Sequence, residues 1–189
     1  MVKHALLIAC TSAAVLASAQ DSTTYRGTGL LRASAAISPG FLLGRAAANN
    51  YVNGRLEYFT DQRVSFRGEG FLFISAQQQP AFLKQNSQLA FGPFYHFGQG
   101  RLDAMLGIEP GLSFAQPQRP VTAVEYEELR VLPNLALCTG ITYTVWDCFH
   151  FFLDARLNHA RYTGSLNGTI ALDELIISGG LGWQLRVKK

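Results

Sequence analysis

The chain has 189 residues and a net charge of +3 with no basic run, which excludes a nucleic-acid footprint. It is 48% hydrophobic but only 15% charged, below the roughly one quarter usual in soluble domains. After its N-terminal leader no segment offers the about 18 continuous apolar residues that a transmembrane helix needs, so entry into a membrane requires a closed β-barrel.

The N-terminus reads as a secretory signal peptide, Met1–Ala19. Lys3 supplies a positive start, Ala5 to Leu16 a short apolar stretch, and Ala17-Ser18-Ala19 a small-residue cleavage site. This leaves Gln20–Lys189 as one exported domain.

That domain alternates, and alternation is the signature of a strand whose two faces meet different surroundings. In LLRASAAISPGFLL, Leu31, Ala33, Ala35 and Ile37 share one parity, with Arg32, Ser34 and Ala36 on the other. YVNGRLEYF sets Val52, Leu56 and Tyr58 against Asn53, Arg55 and Glu57, and TDQR (Thr60–Arg63) then makes a tight turn. RVSFRGEGFLFI sets Val64, Phe66, Leu72 and Ile74 against Ser65, Arg67 and Glu69. A soluble sheet would pack that apolar face inward, whereas a transmembrane barrel turns it to lipid.

A polar connection is expected over Ser75–Gln88. LAFGPFYHFG then places Phe91, Tyr95 and Phe97 opposite Gly92 and His96, and Gly98–Gly100 is a second tight turn. RLDAMLGIEPGLSF sets Leu102, Leu106 and Ile108 against Asp103 and Glu109. A long polar link follows, with the acidic AVEYEE (Ala123–Glu128). Leu135, Leu137, Ile141, Tyr143 and Val145 next oppose Asn134, Cys138, Gly140, Thr142 and Thr144. After a turn at Asp147-Cys148, Phe151, Leu153 and Leu157 oppose Asp154, Arg156 and Asn158. A third link (TGSLNGTIALDE) leads to the last strand, where Ile177, Leu181, Trp183, Leu185 and Val187 oppose Ser178, Gly180, Gly182, Gln184 and Arg186.

About eight strands result, joined alternately by short turns and longer loops, as in an up-and-down eight-stranded antiparallel barrel in the outer membrane. So narrow a barrel is filled by its own side chains. The inward parity carries Arg32, Arg55, Glu57, Arg67, Glu69, Asp103, Glu109, Asp154, Arg156 and Arg186. These predict a network of ion pairs that plugs the lumen, because isolated buried charges are costly. Such filling argues against a narrow channel.

Tyr58, Tyr95, Phe97, Tyr143, Trp146 and Trp183, with Phe59 and Phe149, are expected in an aromatic belt at the short-turn end. Phe41, Phe71, Phe73, Phe114 and Tyr162 are expected in a second belt at the other end. Pro39, Pro93, Pro110 and Pro133 fall inside the strands, where each removes a ladder donor. A hairpin turn at SPG or EPG would change the strand count.

NNYVNGRLEYFTDQRVSFRGEG, FLKQN, LDAMLGIEPGL and FHFFLDARLNHARY together resemble small eight-stranded outer-membrane proteins of the Bacteroidetes type, within the OmpX/OmpA-like barrel group. The resemblance covers nearly the whole exported chain and is specific for the barrel rather than for an activity. One departure is the last strand, which runs on through RVKK with Trp183 further in, where many such barrels end on an aromatic residue.

Functionally the sequence suggests a surface, adhesion or accessory barrel in contact with outer-membrane lipid and lipopolysaccharide, with a surface or membrane-complex protein as a possible partner. An enzyme is not expected. The alternative is a lipid A hydrolase or acyltransferase, for which His96, His150 and His159 are the candidate bases and Ser165 and Glu174 the proposed nucleophile and orienter. No nucleophile-elbow pattern accompanies them. A soluble exported β-barrel binding a small ligand is a further alternative. Cys138 and Cys148 are expected as two thiols, and without paired C-x-x-C spacing neither zinc nor any cofactor is implied.

Overall fold

A computed structural model of the chain describes residues 26–77, 81–98, 100–118, 127–165 and 168–187. The expected signal peptide, Met1–Ala19, and Ala123–Tyr126 lie outside the described residues. The strands are β1 (Leu30–Leu42), β2 (Ala48–Phe59), β3 (Val64–Ala76), β4 (Leu83–His96), β5 (Leu102–Pro117), β6 (Arg130–Trp146), β7 (Phe149–Ser165), β8 (Gly168–Ala171) and β9 (Glu174–Arg186). Each of β1 to β7 pairs antiparallel with the next, β7 pairs with β9, and β9 pairs with β1. Eight strands therefore close into a ring without a free edge. β8 is a short addition that folds back on the outer end of β7.

The polar segments expected as loops are largely strand. β3 continues to Ala76 and β4 begins at Leu83, so most of Ser75–Gln88 extends the wall beyond the outer rim. Much of the link after Tyr162 is likewise strand, in β7 and β8. Neither SPG nor EPG is a turn. Pro39 pairs with Asn50 and Pro133 with Leu112 within continuous ladders. Pro93 and Pro110 sit where the β4–β5 ladder lacks pairs, between Ala90↔Gly111 and Phe94↔Gly107, with the register unchanged across the gap. The β1–β9 ladder opens similarly between Ser34↔Gly182 and Gly40↔Ile176.

Which face is inside decides the class. Arg67 and Glu69 are buried, while Phe66 and Leu72 are exposed, Leu72 by 65%. The same inversion runs round the barrel: Ile37, Leu56, Leu89, Ile108, Leu137, Leu153 and Leu181 face out, and arginines and carboxylates face in. A continuous apolar band on the outside and ions on the inside is the transmembrane arrangement, not that of a water-soluble sheet.

Tyr58, Tyr95, Phe97, Tyr143, Trp146 and Trp183 are exposed at the short-turn end. Phe149 pairs with Trp183 across β7 and β9, with ring centroids 6.1 Å apart. A register shift between Thr144 and Trp146 turns Trp146 outward at the end of a strand whose even positions otherwise face in. The expected outer belt is different. Phe71 and Tyr162 are buried inside, Phe73 and Phe114 are half-buried, and Phe41 alone of the expected five is exposed. Phe59, expected in the inner belt, is also internal. Parity, not position along the strand, decides each case.

Candidate functional site: the filled lumen

The inward side chains form stacked layers, since each strand contributes one inward residue every second position. At the short-turn mouth Asp103 is the hub. Arg26 Nη1 donates to its Oδ1 at 2.7 Å, Arg32 Nη1 to its Oδ2 at 3.0 Å, and His96 Nδ1 lies 2.8 Å from Oδ2. The other His96 nitrogen, Nε2, is 2.8 Å from Ser65 Oγ and 3.4 Å from Glu57 Oε1. Arg67 Nη2 reaches Glu57 Oε1 at 3.2 Å, and Arg32 Nε donates to Gln184 at 3.2 Å.

The middle layer joins Arg55 to Asp154 and, at 3.8 Å, to Glu69; Arg67 lies 3.6 Å from Asp154. Both guanidiniums stack on rings, Arg55 on Phe152 at 3.7 Å and Arg67 on Phe94 at 4.0 Å, which replaces lost hydration on their flat faces. Above it Arg156 bridges Glu69, at 3.5 Å, and Glu109, while Cys138 Sγ donates to Glu109 at 3.1 Å. Cys148 is an exposed free thiol in the β6–β7 turn.

Nearer the outer end Glu174 is surrounded by Asn49, Tyr51, Asn86 and Gln88. Beyond it the lumen closes with an apolar cap of Leu42, Leu83, Ala115, Leu132, Ala160, Tyr162 and Leu172. Register places this cap outside Glu174, because Leu172 lies just before β9, which Glu174 begins, and Ala160 and Tyr162 follow its partner Asn158 on β7.

Nine of the ten predicted lumen charges, Arg32, Arg55, Glu57, Arg67, Glu69, Asp103, Glu109, Asp154 and Arg156, are buried here and joined in ion pairs. Arg186 is instead exposed at the last residue of β9, past the short-turn rim, where inward parity no longer leads into an enclosed space.

Sequence reasoning missed Arg26, which enters the lumen from the chain before β1, beyond any alternating pattern. It also missed the neutral layer of Asn49, Asn86 and Gln88, although Asn158 shared the inward parity. A search for charge overlooks amides.

The candidate hydrolase residues are not brought together. His159 faces out and pairs with Asp173 at 2.6 Å, Ser165 donates to Glu127 at 2.8 Å, and Glu174, expected near a loop, begins β9 and points into the lumen. His150 is buried in the lumen wall. Ser65, His96 and Asp103 do reproduce the spacing of a nucleophile, base and orienter. Ser65, however, is fully buried, and its hydroxyl also donates to Glu57 at 2.7 Å. Among the described residues no group of three or more His, Cys, Asp or Glu is arranged to hold a metal ion.

The outward apolar band, the enclosed ions and the closed ring define the class. The fold is that of the small outer-membrane β-barrels. OprG of Pseudomonas aeruginosa is similar with a TM-score of 0.62 and 11% identity, over 87% of this chain and 99% of that one. Neisserial surface protein A gives 0.58 and 16%, over 83% and 96%. The N-terminal barrel domain of Pseudomonas aeruginosa OprF gives 0.56 and 14%, over 85% and 100%. No protein-family model and no curated protein sequence matches the chain.

Proposed function

We propose that the chain is a sealed barrel of the bacterial outer membrane, exported behind a cleaved Met1–Ala19 signal and acting in surface structure, surface interaction or as an accessory to a membrane complex. The observation that carries this reading is the filled lumen: stacked ion pairs from Asp103 to Glu109, with the apolar cap above. Water and ions have no continuous path through such a core. The sequence resemblance to Bacteroidetes-type barrels supports the outer-membrane barrel itself, and no catalysis is assigned to it.

The outer end supports contact with lipopolysaccharide. Arg45, Lys84 and Arg161 are exposed there, and Arg45 lies over the Phe82 ring at 4.3 Å. Cations at that level suit the phosphates of the outer leaflet.

Purified full-length protein in planar bilayers is expected to give no steady conductance; a stable ohmic current overturns the sealed barrel. Incubation with lipid A and mass analysis is expected to leave the acyl pattern unchanged. Removal of an acyl chain by wild type but not by His159→Ala would establish the hydrolase instead.

A further inference from the structure

Glu174 is fully buried, yet it stands apart from every other carboxylate of the lumen. Glu57, Glu69, Asp103, Glu109 and Asp154 each have an arginine within 4.0 Å. Among the described residues Glu174 has no ion pair. Its neighbours are neutral: Asn49 Nδ2 at 2.8 Å and Tyr51 Oη at 2.9 Å from Oε1, with Tyr51 Oη at 2.8 Å, Asn86 Nδ2 at 3.1 Å and Gln88 Nε2 at 3.2 Å from Oε2.

Asn49, Tyr51, Asn86 and Gln88 all donate to the two oxygens of Glu174, a donor set that suits the charged carboxylate. That carboxylate is an enclosed negative charge with no cation at ion-pair distance among the described residues.

A second observation comes from the same layer. Asn49 Oδ1, Asn86 Oδ1, Gln88 Oε1 and Asn158 Oδ1 are buried and have no hydrogen-bond partner. Asn158 is directly across from Glu174 in the β7–β9 register and only 1% exposed. Four orphan oxygens and one uncompensated carboxylate gather in one layer, sealed from outside by the apolar cap.

We propose that this layer is a binding site for a monovalent alkali cation, held by the Glu174 carboxylate and the carbonyl oxygens of Asn49, Asn86, Gln88 and Asn158. The terminal amides present either oxygen or nitrogen after a half rotation, so Asn49, Asn86 and Gln88, which donate to Glu174, can also ligate. Carboxylate and amide oxygens are hard ligands, which suit sodium or potassium and not soft transition metals. One negative charge balances one monovalent ion. A calcium site of useful affinity gathers more charged ligands. The cap makes the ion a resident of the folded barrel, taken up as the barrel closes.

The test uses full-length protein refolded in detergent, with thermal unfolding followed by gel migration in NaCl, KCl, LiCl and choline chloride at matched ionic strength. One alkali ion is expected to raise the midpoint saturably, by about 5 °C over choline. Equal midpoints in all four salts overturn the site. In Glu174→Gln the dependence is expected to vanish; an unchanged dependence overturns the assignment to this layer. Should that variant fail to fold, wild-type crystals grown in RbCl decide. An anomalous peak between Glu174 and Asn158 supports the site, and its absence at full rubidium exchange overturns it.

Discussion

Arg156 on β7 and Glu69 on β3 meet across the lumen at 3.5 Å, though 87 residues separate them in the chain. Their pairing links opposite walls, and Glu69 also lies 3.8 Å from Arg55. Replacement by Glu69→Gln keeps the shape and removes the charge both arginines share. The expected loss is about 3 kcal/mol, because a buried cation is left short of its partner. Urea titration of the folded barrel reads it, and an unchanged midpoint would place Glu69 in bulk water.

Ile108 faces outward at the middle of β5. If that face meets hydrocarbon, Ile108→Arg costs about 2–4 kcal/mol near the bilayer centre. Equilibrium folding into lipid vesicles measures it. A variant as stable as wild type would indicate an aqueous outer face.

Two glycines separate close backbone approach from mere openness. A Cβ on Gly92 would run into the backbone of Ile108 and Glu109, where β4 and β5 approach each other beside Pro93 and Pro110. A Cβ on Gly54 would meet nothing within 4 Å. Gly92→Ala is therefore expected to destabilise by about 1–3 kcal/mol, and Gly54→Ala to be close to neutral, in the same vesicle assay. The reverse order would contradict the strand spacing.

At the β2–β3 turn, Asp61 Oδ1 accepts from the backbone amides of Arg63, at 2.5 Å, and Val64, at 2.8 Å. These two N–H groups, Arg63 first, hold its carboxyl below the ordinary aspartate range. With the folded value depressed, the turn is supported above the unfolded value, and that support is lost as pH falls through the folded one. An NMR titration of the Arg63 and Val64 amides is expected to give a midpoint below that of a free aspartate. An unshifted midpoint would refute the turn geometry.

The barrel was legible because period-two alternation is a direct consequence of strand geometry, and nine lumen charges from Arg32 to Arg156 followed from parity alone. Parity was also the better guide where aromatic content misled. Phe59 and Tyr162 sit on inward positions and fill the lumen, although their height along the strand suggested belts. Strand ends were harder to read. Leu83 and Leu172 turn inward to build the cap, although both lie in segments whose composition looked like loop or link. Arg26 was hidden for a different reason: it precedes the first strand and reaches its partner Asp103 only once the ring exists.

The seam between β1 and β9 has a consequence for assembly. Arg32 meets Gln184 across 152 residues of sequence. Every earlier strand has its hairpin neighbour close by in the chain, but this junction waits for the final one. A chain lacking β9 would present two raw edges to hydrocarbon, where no water can satisfy them. Closure is thus the committing step of folding, slow because it joins the extremes of the polypeptide, and incomplete rings have no stable place in the bilayer.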